Sequence, residues 1–310
     1  MTNQMTAAVG TADPGIASRL VNGVLAIKPL AALAKHQARQ MMIKRAEKMG
    51  VPWRKRVEEL RSHNWEPHLT KVKNPTLTYP DYYVCSFHAY DEGNLGWQPA
   101  LEVEVAAYAV HATIWPGSGA EGDTKLRKSY HDILKEQIPT PPQDIADLGC
   151  SVGMSSFALQ DTYPHAKITG IDLSPYFLAV ADYQAQQQQR SINWVHAAAE
   201  STGLPAASFD LVSTFLMFHE LPQAATREIL REARRLLRPN GHIAIMDMNP
   251  QSEKFRQMPP YVLTLLKSTE PYLDEYFSFD MHKELLEAGF HPPTITRNSP
   301  RHRTIVAKLR

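Results

Sequence analysis

Two acidic residues and two glycines mark where chemistry is concentrated in this chain. In "DIADLGCSVGMSSFAL", Asp144 to Leu159, Asp147 stands two residues before Gly149, and Gly153 follows four residues later. A strand that ends in a Gly-containing loop and feeds a helix gathers backbone N–H groups and the positive helix end at one place. Such a place suits a carboxylate or a phosphate. A dinucleotide loop needs G-x-G-x-x-G, and measured from Gly149 the second and third positions are Ser151 and Met154. Pyrophosphate therefore fits poorly. A smaller ligand, with an ammonium for Asp147 and a carboxylate for the loop amides, fits better, and an amino-acid moiety has both. Asp172 in "GIDLS" lies 23 residues after Gly149, at the tip of the neighbouring strand. A carboxylate there can accept two ribose hydroxyl hydrogen bonds. Ammonium, carboxylate and ribose diol together describe S-adenosylmethionine. Taken singly, the loop could be an ordinary strand-to-helix turn and Asp172 a helix cap, although Ser174 already offers a capping oxygen.

Methyl transfer from a sulfonium is an in-line displacement that asks the protein for alignment, desolvation and, where needed, a base. The fourth strand ends in "FLMFHELP", so His219 and Glu220 should lie at the carboxyl edge of the sheet, where the crevice of an open parallel sheet is found. An imidazole of ordinary pKa could take a proton from a phenol or enol, or His219 could only line the crevice. Glu220 reads as the start of the next helix. Upstream, "FHAYDEGN" places His88, Tyr90, Asp91 and Glu92 in a polar, aromatic loop that could close over an acceptor or be a packed turn. No second cluster has ligand spacing, so no metal is expected. The connector "PQSEKFRQMPPYVLTLLKSTEPYLDEYF" carries Tyr261, Leu263, Leu265, Leu266, Tyr272, Tyr276 and Phe277. Its apolar, aromatic character suits a hydrophobic or ring-containing small molecule better than a peptide or RNA, with Tyr261, Tyr272 and Tyr276 as candidate acceptor contacts.

The elements needed to hold these residues can be read from periodicity. After Asp144, "DIADLG", "KITGIDL", "INWVHAAA", "FDLVSTFLMF" and "HIAIMDMN" read as strands. The helices between them are "MSSFALQDTY", "PYFLAVADYQAQ" and "QAATREILREARRLL". A β-α-β-α-β order gives a parallel sheet with helices on both faces. Past the helix "MHKELLEAGF", "PTITRN" and "RTIVAKL" are so close that they can pair only as an antiparallel hairpin. Residues 1–140 read as a mainly helical cap, with helices at Pro99–Ile114 and in "KLRKSYHDILKEQI", and 141–310 as the cofactor-binding domain.

Of the 310 residues 43% are hydrophobic, enough for a real core, and no apolar run is long enough to span a membrane. The net charge of +1 argues against nucleic acid as a partner. Cys85 and Cys150 are too few for a disulfide framework, so a reducing, cytoplasmic setting is expected. Residues 1–60 hold ten Lys/Arg against four Asp/Glu. Leu20, Val24, Leu25, Leu30, Leu33, Met41 and Met42 alternate with these bases, as in amphipathic helices broken at Pro29. That segment reads as a helix pair packed on its own domain, as a peripheral membrane contact, or as a transit peptide. Nothing in the sequence speaks to oligomeric state.

With "DLGCSVG", "GIDLS", "AAAESTGLPAASFDLVSTFLMFHEL" and "REARRLLRPNGHIAIMDMNP" in view, residues 144–310 resemble the class I S-adenosylmethionine-dependent methyltransferases, closest to the type 11 and quinone-methyltransferase-like branch. The resemblance implies an α/β, Rossmann-like seven-stranded sheet, mostly parallel with its last strand antiparallel. It implies S-adenosylmethionine as cofactor, with Asp147, Gly149, Ser151 and Gly153 at its methionine part, Asp172 at the ribose and Leu173 against adenine. Where the family often has an acidic residue for the adenine amino group, this chain has Ala198. Adenine then falls to the backbone around Ala198 and Ala199, to apolar packing, or to Glu200. "YPDYYVCSFHAYDEGNLGW" resembles the leading region of cyanobacterial and plastid members, which suggests a photosynthetic source. The expected function is methyl transfer to oxygen or carbon of a small quinone or phenolic acceptor. The alternatives are a cofactor-binding regulatory or scaffold protein without turnover, and methylation of a protein.

Overall fold

The computed structural model describes residues 28–88 and 90–310. Leu20, Val24 and Leu25 of the basic segment lie outside them. Strands β1 (Asp144–Leu148), β2 (Lys167–Asp172), β3 (Asn193–His196), β4 (Phe209–Phe215), β5 (Leu237–Met248), β6 (Thr294–Arg297) and β7 (His302–Lys308) form one sheet in the order β3-β2-β1-β4-β5-β7-β6. All neighbours from β3 to β5 run parallel, and β7 is antiparallel to both β5 and β6. This is the expected Rossmann-like sheet with a reversed last strand. Its order reverses beside β1, so the ends of β1 and β4 splay their following loops apart and leave a crevice.

Alternation along the strands assigns the two faces. Ile243 and Ile245 of β5 face α8 (Gln223–Leu236) and α12 (Met281–Glu287), where Ile229, Leu230, Ala233 and Leu285 are buried. Ala244 and Met246 face α5 (Gly122–Gln137) and α6 (Met154–Thr162), meeting Leu126, Tyr130, Leu134 and Leu159. A strand covered on both faces must be apolar at nearly every position, as "IAIM" is. The domain boundary read at residue 140 needs correcting, because α5 lies on its cap side and yet covers the sheet. Tyr130 is buried there, and its hydroxyl lies 2.9 Å from Ser213 Oγ and donates to Ala244 O at 3.1 Å.

The remaining N-terminal helices are α1 (Lys28–Lys48), α2 (Trp53–Arg61), α3 (Glu66–Val72) and α4 (Trp97–His111). Ile43, Trp53, Leu60, Trp65, Leu101 and Val105 build a satellite core that rests on Phe177 and Val180 of α7 (Pro175–Gln187). Polar ties fix it as well: His68 Nδ1 and Lys71 Nζ donate to the two oxygens of Asp182 at 2.7 and 2.6 Å. Pro29, read as a break between helices, stands at the start of α1, and the residues before Lys28 lie outside the described ones. It is the second residue of α1, a position where the missing N–H would have had no partner. No helix among the described residues is long and apolar enough to cross a membrane.

Candidate active site

The loop after β1 turns as its glycines require. Gly149 has φ +68°, and a Cβ there would lie 2.6 Å from Met217 Sδ; at Gly153, φ is +86° and a Cβ would meet the Trp194 ring at 2.8 Å. Ser151, between them, also has a positive φ, +51°, a region L-residues seldom enter. Of the five other non-glycine residues with positive φ among those described, Gln189, Ala207 and Asn240 lie away from this site, and His88 at +48° and Leu216 at +56° stand with Ser151. All three line one cavity of about 680 Å³ above the strand ends. Strained backbone of this kind costs about 1–3 kcal/mol per residue and persists where surrounding packing over-determines it, commonly at functional sites.

Asp147 is fully buried, and its Oδ2 accepts from Ser155 Oγ and Ser156 Oγ at 2.6 Å each. Its Oδ1 has no partner, and neither has the buried Ser151 Oγ. Burial pushes the Asp147 carboxyl up to about 6, with the serine hydroxyls and Arg127 pulling the other way. Asp172 Oδ2 accepts from Ser151 N and its Oδ1 from Ser174 N, both at 2.8 Å. It therefore fixes the loop and the start of α7 together, while Ser174 Oγ, accepting from Phe177 N, caps α7 as read. Burial raises Asp172 as well, to about 6. The Tyr83 hydroxyl approaches Asp172 Oδ1 at 3.5 Å, and Tyr82 donates to Glu200 Oε1 at 2.7 Å, so the aromatic arm before α4 folds over the cofactor residues.

Gly149, Ser151, Asp172, Leu173 and Ala199 line the cavity, whereas Asp147, Gly153, Ala198 and Glu200 stand behind its wall. Unpartnered acceptors at Asp147 and Ser151, and a loop whose glycine Met217 prevents from being replaced, fit an amino-acid moiety with an adjacent ribose. Arg127 adds a cation that the sequence reading missed: it lines the cavity, lies 4.3 Å over the Phe215 ring, donates from Nε to Asp123 at 2.8 Å, and leaves its buried Nη1 without a partner. Nothing in its spacing singled it out, because α5 reaches the site only through packing.

A cluster of ionisable groups faces the same cavity. His219 Nδ1 donates to Asp247 Oδ1 at 2.7 Å, and Asp247 also accepts from the backbone N–H groups of Phe218, His219 and Met248. Burial alone would lower the His219 pKa, but Asp247, Glu270 and Glu220 more than offset it and hold it at about 10. These carboxylates favour the cationic form of His219, where the sequence alone suggested an imidazole of ordinary pKa. Glu220 does not start a helix but ends the 3-10 turn Phe218–Glu220, and burial together with Glu270 and Asp247 lifts it to about 7 against the pull of His88 and His219. His88 Nε2 lies 3.0 Å from Glu270 Oε1 and 3.5 Å from Glu220 Oε1, and these carboxylates raise its pKa against desolvation. Asp247 was detectable as a lone acid in a buried strand; Glu270 had no sequence signal.

His88 and Tyr90 line the cavity, with the Tyr90 hydroxyl donating to Glu102 at 2.8 Å. Tyr261 is 46% exposed on the outer side of α10 (Pro260–Thr269), and Tyr272 and Tyr276 do not reach the cavity. Tyr276 instead donates to Met248 O at 2.7 Å. From the connector Met258, Val262, Leu266 and Glu270 form the wall. No group of three or more His, Cys, Asp or Glu among the described residues is arranged to hold a metal.

A model of the methyltransferase domain family matches residues 145–241. The demethylmenaquinone methyltransferase of Thermotoga maritima is 28% identical over 162 residues, 52% of this chain and 66% of that protein. An uncharacterized methyltransferase of Synechocystis is likewise 28% identical over 162 residues, 52% of this chain and 73% of its own length. The chain thus spans just under two thirds of the Thermotoga relative. A solved protein from Pyrococcus horikoshii, 16% identical, shares the fold with a TM-score of 0.51 over 66% of this chain and 98% of its own. Residues 145–241, which carry the loop, Asp172 and Glu220, are a methyltransferase domain of the class I, S-adenosylmethionine-dependent family.

Proposed function

We propose that the chain transfers a methyl group to oxygen or carbon of a small, largely apolar acceptor. The observation that carries this reading is one cavity with the cofactor-type loop and Asp172 on one wall and Glu220, His219 and an apolar helix on another. S-adenosylmethionine would supply an electrophilic methyl group and leave as a thioether once the acceptor's electron pair forms the new bond. The loop amides, Ser151 and Arg127 would hold its methionine carboxylate, and Asp147, buried behind the wall, would attract the ammonium by charge. Asp172 would hold the ribose diol, and Leu173 with Ala199 would pack on adenine, with Ala198 and Glu200 behind them.

Glu220, held near neutrality, takes the acceptor's proton, since a base works best with a pKa near the operating pH. His219, kept cationic and oriented by Asp247, donates to the negative charge that develops on the acceptor. His88 and Tyr90 close the acceptor's side. The Thermotoga relative named for demethylmenaquinone supports a quinone or phenol as the acceptor class. The basic excess of residues 1–60 suits collecting an apolar acceptor at an anionic membrane surface.

The test is incubation of the protein and methyl-labelled S-adenosylmethionine with a small-molecule extract and a protein fraction of the source cells. Label in an organic-soluble product supports the reading. Label confined to macromolecules contradicts it, and cofactor binding without any labelled product favours a binding protein lacking turnover.

A further inference from the structure

Three arginines line the cavity, and their partners differ. Arg39 pairs with Glu102 and Arg127 with Asp123. Arg301, in the turn between β6 and β7, has only neutral partners: Nη2 donates to Val110 O at 2.8 Å and to Thr113 Oγ1 at 3.2 Å, and the buried Nε donates to nothing. Its neighbours His111 and His302 supply no counter-charge, because an imidazole is neutral or cationic and never anionic. A guanidinium stays protonated in proteins, and Arg301, half-buried with its Nε out of water, meets no counter-ion among the described residues. Lys254, the other cation on the cavity without an ion-pair partner among the described residues, stands in the short helix after β5. The same cavity is lined by the apolar Met248, Phe255 and Met258.

Resting on the methyltransferase reading, we propose that Arg301, assisted by Lys254, binds an anionic group on an otherwise apolar acceptor. Arg301 then sets specificity: it selects an amphiphilic acid over its neutral analogue, and lets the apolar wall choose the body. Arg127, beside Asp147, serves the cofactor, and Arg301, anchored to the end of α4, serves the acceptor.

Fluorescence titration of the full chain, saturated with S-adenosylhomocysteine, with anilinonaphthalene sulfonate and with neutral N-phenylnaphthylamine tests this site. The expected result is tighter binding of the sulfonate. Arg301→Gln should lower its affinity about 10–100-fold, the range for losing hydrogen bonds to a charged group. Affinity for the neutral probe should shift less than about two-fold. Lys254→Gln, an exposed change that spares the fold, should cost about two- to three-fold for the sulfonate only. Competition with octanoate and octyl phosphate assigns the anion as carboxylate or phosphate, whichever displaces at the lower concentration. Equal affinity for the two probes in the unmodified protein, or an unchanged preference in Arg301→Gln, overturns the proposal. Calorimetry with S-adenosylhomocysteine separates the two claims: binding retained with no anion preference sinks only the anion site, and no binding sinks the methyltransferase reading beneath it.

Discussion

The cavity's two walls, the one proposed for the cofactor and the one proposed for the acceptor, are held together by different forces. Asp147, Ser151 and Asp172 lie within 26 residues of each other and are fixed by short hydrogen bonds to backbone N–H and serine hydroxyl groups. His88, Glu220, Asp247 and Glu270 come from four separate segments, and burial together with the neighbouring charges shifts the pKa of His88 and Glu220. A wall built from local hydrogen bonds tolerates little change in residue type but needs few partners. One built from mutually coupled charges can be retuned by any member, so its chemistry depends on pH.

Substitutions can break this contrast. The largest effect is expected from Glu220→Gln, which should lower kcat by about 10²–10⁴, as loss of a general base does, while S-adenosylhomocysteine affinity changes less than about two-fold. The unmodified enzyme should show a rate that falls as pH drops through about 7, where Glu220 gains its proton, and again as pH rises through about 10, where His219 loses its own. Measured over that range, the limb near pH 7 should vanish in Glu220→Gln, leaving the lower fall near 6 where Asp147 and Asp172 gain their protons; a retained limb near 7 would assign it to another group. Next in size, Arg127→Gln should weaken S-adenosylhomocysteine about 10–100-fold by calorimetry, through loss of a charged hydrogen bond. An unchanged affinity would remove Arg127 from the cofactor wall. The smallest change is expected for Ser151→Gly. Relief of its positive φ should stabilise the chain by up to about 1 kcal/mol in urea unfolding, with affinity kept within a few-fold. Destabilisation there would show that the serine hydroxyl matters more than the strain.

The same contrast explains what could be read in advance. All seven strands and the reversed hairpin followed from alternation and loop length, because those patterns are local. Asp147 and Asp172 were legible for the same reason. The connector was not: its aromatic content pointed to Tyr261, Tyr272 and Tyr276, yet α10 turns Val262, Leu266 and Thr269 inward at helical spacing and leaves Tyr261 and Leu265 outside. Counting rings without phasing the helix chose the wrong face. Arg127, Tyr83, Glu270 and Arg301 reach the cavity only through tertiary packing, so no spacing in the chain marks them.

The central claim is that the loop after β1 and Asp172 bind S-adenosylmethionine. Calorimetric titration of the unmodified chain and of Asp172→Ala with S-adenosylhomocysteine tests it most directly. One-to-one binding that weakens about 100-fold or more in the variant is the expected result, since Asp172 both orders the loop and would accept from the ribose. Equal affinity in the two proteins would contradict it.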